Sequence, residues 1–259
     1  MTSGSVARRD LVYFLIGPGL ATVAVAGLFH LRPWPTALPS QAQALGWGFT
    51  VALLAAGTLG AFLSTPVGCP PAPPLADRSR WWAIVIWSLG AGLAFGAADI
   101  AIQLLTPWGP HLAAMDKANG YTWANIALPW SLAHYLHASV QLESAFRLVA
   151  IIVPAWLVGR LLLKGRFEAW VFWAFAVLAA SIEPLEKAVF VRKLPFADMA
   201  PMDVAMELEA VFTQLVFAWM LRRFGWPAPI LMRYGYYLLV RVFAGYFYPH
   251  TSLMYPGPH

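Results

Sequence analysis

Apolar residues run along this chain in blocks of about twenty rather than in short alternating stretches. Seven such runs stand out, at about 11–30, 45–64, 81–106, 138–159, 168–189, 204–221 and 227–248. Each approaches the roughly 20 residues a helix needs to cross a hydrocarbon core. The pattern therefore predicts an all-α fold: a polytopic transmembrane helix bundle of about seven spans, forming one integral membrane domain over residues 1–259. The first run is too long for a signal peptide and lacks its small-residue cleavage site, so it is expected to stay as a helix.

Composition agrees with the pattern. Of the 259 residues, 60% are apolar and only 11% charged, against about 25% charged in a soluble domain. A soluble globule and a disordered chain are excluded. One cysteine, Cys69, leaves no intramolecular disulfide. The net charge of +5 does not imply nucleic acid, because the basic residues fall in small scattered groups.

Those basic residues instead predict orientation. Arg8, Arg9, Arg78, Arg80, Arg160, Lys164, Arg166, Arg222 and Arg223 fall on one side of a seven-span arrangement. Arg32, Lys117, Arg192 and Lys193 fall on the other. The excess on the first side places the N-terminus in the cytoplasm and the C-terminus outside. Two connections differ from tight turns. Residues 65–76 are rich in proline and predict an extended spacer. Residues 107–137 carry Trp108, Tyr121, Trp123, Trp130 and Tyr135 and predict an aromatic loop lying at the outer interface.

Ten charged residues fall inside or at the edges of the runs: Asp99, Glu143, Arg147, Glu183, Glu186, Lys187, Glu207, Glu209, Arg233 and Arg241. Charges at such depth normally face the protein interior and pair. Glu143 and Arg147 are four apart with the acid first, the better order for a helical ion pair, and Glu183 and Lys187 repeat it. Glu209 and Arg241 reach comparable depth and complete the expected set of structural ion pairs. Glu207 and Glu209, two apart, should point to different sides of their helix. Two readings stay open: ion pairs that hold helices together, or a polar reaction site near the outer face. His134 and His137 precede Glu143 and are the nearest approach to a metal ligand set, but no metal site is predicted. The chain has no His-Glu-x-x-His run, no Gly-x-Ser-x-Gly elbow and no phosphate-binding loop.

The run Leu142-Glu143-Ser144-Ala145-Phe146-Arg147 resembles the first motif, Glu-Glu-x-x-x-Arg, of the CAAX-protease and bacteriocin-processing (CPBP, or Abi) membrane family. The stretch LVFAWMLRRFGWPAPIL, from Leu215 to Leu231, is similar to that family's closing segment. The resemblance covers roughly residues 138–245 and implies a helical membrane fold. In proteolytic members the first glutamate and a middle histidine activate water, and a last His and Asn stabilise the oxyanion. Here Leu142 stands for the first glutamate, Glu186 lies near the place of the middle histidine, and Arg233 and Tyr237 replace the last His and Asn. Glu143 and Arg147 survive. The resemblance thus implies a degenerate member, acting as a non-catalytic accessory or scaffold subunit beside other membrane proteins in a bacterial inner membrane. The alternatives are an active intramembrane hydrolase using Glu143, Arg147, Glu186 and Arg233, or an ion- or proton-coupled carrier. No cofactor is predicted, although a lipid or apolar cofactor needs few polar ligands; membrane lipid is an expected partner.

Overall fold

The computed structural model describes residues 3–31, 46–110, 128–186 and 201–243. Among them the chain is helical, with no strand. Helix α1 runs Ser3–Phe14, widens into a π-helical segment Leu15–Gly19, and continues Leu20–Leu31. Helix α2 is Trp47–Ser64 and α3 is Arg78–Leu105. Helix α4 runs unbroken from Trp130 to Leu162, as an α-helix Trp130–Glu143, a π-helical segment Ser144–Ile152, a short α turn Val153–Ala155 and a second π-helical segment Trp156–Leu162. Helix α5 is Glu168–Glu186, α6 is Pro201–Phe224, and α7 is Pro227–Tyr237 continued by a π-helical segment Leu238–Phe243.

Among the described residues, five helices are long and apolar enough to cross a membrane: Ser5–Leu31, Trp47–Ser64, Arg78–Leu105, Trp130–Leu162 and Pro201–Phe224. They mark an integral membrane protein. The apolar stretch of α5, Glu168–Ile182, is shorter. The wide segments of α1 and α4 have a local cause. Pro18 lies inside the first π segment and Pro154 stands between the two in α4. A proline ring removes one donor and crowds the carbonyl four residues back, and a wider turn relieves both.

The expected aromatic loop over 107–137 is shorter at its end than the pattern suggested. Residues 130–137 are the first turns of α4, so Trp130, His134, Tyr135 and His137 are helical. The mixed polar and aromatic composition of this stretch conceals the helix from a hydropathy window. Tyr121 and Trp123 lie outside the described residues.

The chain divides into two compact units. The first comprises residues 1–16, 55–77 and 142–229. Here α2 meets α1 and α4 at glycines: a β-carbon on Gly57 would fall 2.3 Å from the Phe14 ring, and one on Gly60 would fall 2.3 Å from the Leu148 side chain. Small residues let helix backbones approach where lipid supplies no hydrophobic drive. Helix α5 packs on α4 and on α6.

The proline-rich connection 65–77, the expected spacer, belongs to this unit and forms a strap that is buried at several positions. Val67, Cys69 and Ala72 are buried. The buried Asp10 carboxylate accepts hydrogen bonds from the Thr65 hydroxyl and the Ala72 amide, both at 2.8 Å. The Arg160 and Arg222 guanidinium groups donate to the Pro66 and Val67 carbonyls. Gly225, at φ 87°, leaves no room for a β-carbon, which would lie 2.4 Å from the Pro70 oxygen. Proline lacks an amide donor, so the strap's exposed carbonyls are satisfied by arginines from elsewhere.

Burial pushes the Cys69 thiol up to about 12, with the nearby Arg222 cation opposing the shift. At pH 8 the thiolate is then on the order of one part in ten thousand of Cys69, and it is the thiolate that reacts. Cys69 in the folded protein is expected to resist maleimide at pH 8 and to label fully once dodecyl sulfate unfolds the chain. Rapid labelling of the folded protein would show that the strap is open.

The second unit comprises residues 17–54, 78–141 and 230–259. Its centre is the crossing of α3 and α7. Gly92 of α3 lies against the α7 backbone, where a β-carbon would be 2.0 Å from the Met232 oxygen. From the other side Gly235 meets Leu89 in the same way, its β-carbon 2.9 Å from the Leu89 oxygen. In the same unit His30 of α1 stacks on Trp47 of α2, ring centroids 5.3 Å apart.

Candidate functional site

The candidate residues occupy both units. In the first, α4 carries Glu143 at the end of its opening α segment and Arg147 in the π segment that follows. The two side chains are buried, and Arg147 Nε lies 3.2 Å from Glu143 Oε2. The expected four-residue pair is therefore present. Two partners from α6 complete it. Arg147 Nη2 donates to the Gln214 backbone oxygen at 3.1 Å and also to Gln214 Oε1. The Arg147 guanidinium stands 5.0 Å from the centre of the Phe217 ring.

This arrangement follows from what arginine offers. A guanidinium is a planar fork of five donors with aromatic-stacking faces. One edge takes the carboxylate, one nitrogen takes the amide of the neighbouring helix, and one face takes Phe217. A carboxylate held this way is an acceptor for a fixed cation. Glu143 is fully excluded from bulk solvent, and through Arg147 the pair ties α4 to α6. The residues beside it are hydroxyls: Ser144 is buried next to Glu143 and its Oγ faces α2 at Gly57.

Glu207 and Glu209 point to different sides of α6, as their spacing requires. Glu207 is buried, while Glu209 is exposed and accepts the Thr213 hydroxyl at 2.7 Å. Glu183 and Glu186 lie in the last turn of α5, and Lys187 lies outside the described residues, as does any contact of the Glu183–Lys187 pair.

In the second unit a polar cluster joins α3 and α7. Asp99 accepts the Tyr236 hydroxyl through Oδ2 and the Gln103 amide through Oδ1, the latter at 2.8 Å. The Tyr237 ring lies 5.2 Å from that of Tyr135 and 5.7 Å from that of Tyr236. Arg233 stands 6.0 Å from the centre of the Tyr237 ring. Arg241 lies in the π segment of α7, one stripe below Arg233 and Tyr237. His134 and His137 are buried side chains of α4. Among the described residues no group of three His, Cys, Asp or Glu side chains is gathered to hold a metal.

Four residues that matter here escaped the sequence reading. Gln214 and Phe217 complete the Arg147 site, Asp10 holds the strap, and Tyr236 engages Asp99. Gln214 had a signal, being an amide in the middle of an apolar run, where polar groups are retained only with partners. Asp10 looked like the flank of a span and gave none. No protein-family model, curated protein or solved structure matches the chain.

Proposed function

We propose that this protein is a non-catalytic, CPBP-like membrane subunit that works by holding a fixed helical framework against other membrane proteins. One observation carries the reading. Glu143, the one glutamate of the family's first motif that this chain keeps and the base of the hydrolase alternative, is sealed from solvent and held by Arg147, whose Nη2 also donates to Gln214. A general base must reach its proton directly or through one water. Glu143 in this setting serves packing and leaves hydrolysis without a base at that position. Glu186 and Arg233 then have no catalytic duty.

In this reading α5 and α7 cross the bilayer with the other five helices, giving seven spans. The N-terminus lies in the cytoplasm of a bacterium, the C-terminus beyond its inner membrane, and Arg8, Arg9, Arg78, Arg80, Arg160, Lys164, Arg166, Arg222 and Arg223 on the cytoplasmic side. The partners are other membrane subunits, packed on lipid-facing aromatic and aliphatic side chains. No cofactor takes part.

The test is isolation of the chain from native membranes in mild detergent, with mass spectrometry of what accompanies it. Other membrane subunits in fixed ratio are expected. Recovery alone, together with peptide cleavage that disappears in Glu143→Gln, would overturn the proposal in favour of a hydrolase.

A further inference from the structure

The connection from α4 to α5 is short and, among the described residues, holds both non-glycine residues at positive φ. Residues 163–167 reverse direction between Leu162 and Glu168 with three residues in the left-handed region: Lys164 at φ 51°, Gly165 at φ 82° and Phe167 at φ 59°. A bulky residue at positive φ is an outlier that persists only where the surroundings impose it, and such outliers cluster at sites of function. The surroundings here are a clamp. The Gly165 amide donates to the Gly159 oxygen at 2.8 Å, the Leu163 amide to the Val158 oxygen at 2.9 Å, and Arg160 Nε lies 2.7 Å from Glu168 Oε1.

The clamp takes up the one nearby acid and leaves two cations displayed. Lys164 and Arg166 are exposed at the apex, and no carboxylate among the described residues pairs with them. Around them stand apolar side chains turned outward: Leu161, Leu162, Phe167 and Trp170, the last two 69% and 78% exposed. Aromatic and aliphatic groups at a helix end, ringed by cations, match the boundary between acyl chains and headgroups. Neutral lipid would satisfy the apolar part alone. The two unpaired cations select a negative headgroup, each attracting the anionic surface independently.

We infer that the 160–170 turn is a docking surface for anionic phospholipid headgroups, with Phe167 and Trp170 seated among the acyl chains and Lys164 and Arg166 on the phosphates. The inference rests on the integral-membrane character of the chain and not on its being an accessory subunit. A hydrolase or a carrier would carry the same surface.

The test uses the full chain reconstituted in vesicles, with brominated phospholipids as fluorescence quenchers. Subtracting the signal of Trp170→Phe isolates the lipid next to Trp170. Brominated phosphatidylglycerol is expected to outcompete brominated phosphatidylcholine at this position by about fivefold for each cation, falling as salt is raised. Lys164→Gln with Arg166→Gln should remove the preference while phosphatidylcholine quenching stays unchanged. Lys164→Arg with Arg166→Lys should keep the preference, which separates charge from any effect on folding. Equal quenching by the two lipids in the wild type, or a preference that survives the double glutamine variant, would overturn the inference.

Discussion

Arg147→Met is expected to destabilise the protein by about 3–5 kcal/mol, the usual cost of leaving one member of a buried ion pair alone. Glu143 would remain in a site closed to bulk solvent, and Gln214 would lose the donor to its side-chain and backbone oxygens. The double variant Glu143→Leu/Arg147→Met should recover most of the loss, because an apolar pair of similar volume needs no solvation. The measurement is a double-mutant cycle on thermal unfolding in detergent, with a coupling of at least about 2 kcal/mol expected for groups in one network. Losses that simply add would mean that the two side chains act independently and that the bolt between α4 and α6 lies elsewhere. The same cycle bears on function: a pair that can be replaced by carbon without loss of assembly has no chemical task.

The second large effect is expected at Gly92. Its β-carbon position lies 2.0 Å from the Met232 oxygen and 2.8 Å from the Tyr236 nitrogen. Both obstacles are backbone and cannot rotate away, so Gly92→Leu must push α3 off α7. Overpacking ordinarily costs about 1–3 kcal/mol, and this site should reach or pass the upper end. Separation of the two helices would also break the hydrogen bond from Tyr236 to Asp99. Gly96 is the internal control. Its nearest neighbours, a Val240 methyl at 3.2 Å and the Leu239 β-carbon and Tyr236 oxygen at 3.3 Å, need give by only a few tenths of an ångström, so Gly96→Ala should cost less than about 1 kcal/mol. Unfolding midpoints of the two variants in the same detergent should differ clearly. Similar midpoints would show that α3 and α7 do not touch as closely as Gly92 requires.

Helix positions were readable from the chain because lipid imposes one simple rule, a run of apolar residues of fixed length. Residues 47–64 and 78–105 fall within three residues of the runs that predicted them. The start of α4 was hidden because Trp130, His134, Tyr135 and His137 lower the hydropathy of turns that are nonetheless helical. The Glu143–Arg147 pair was readable because it is local, four residues on one helix. Its other half was not, because Gln214 is 67 residues away and nothing in the pattern says which helices touch. The burial of the strap was not readable for the same reason. Prolines are common in free spacers, and only the distant Asp10, Arg160 and Arg222 make this one a fixed part of the interior.

That strap also sets an order of events in time. The Val67 carbonyl is met by an arginine 155 residues further along, and the Pro66 carbonyl by one 94 residues further along. When α1 and α2 leave the ribosome, Asp10 is the only one of these anchors already made. Contacts so distant in sequence close last. Held until then by Asp10 alone, the connection after α2 gains its arginine contacts only once α4 and then α6 have been made. A chain interrupted before Arg222 lacks the donor to the Val67 carbonyl, so a contact near the beginning of the chain is completed only by a residue made much later.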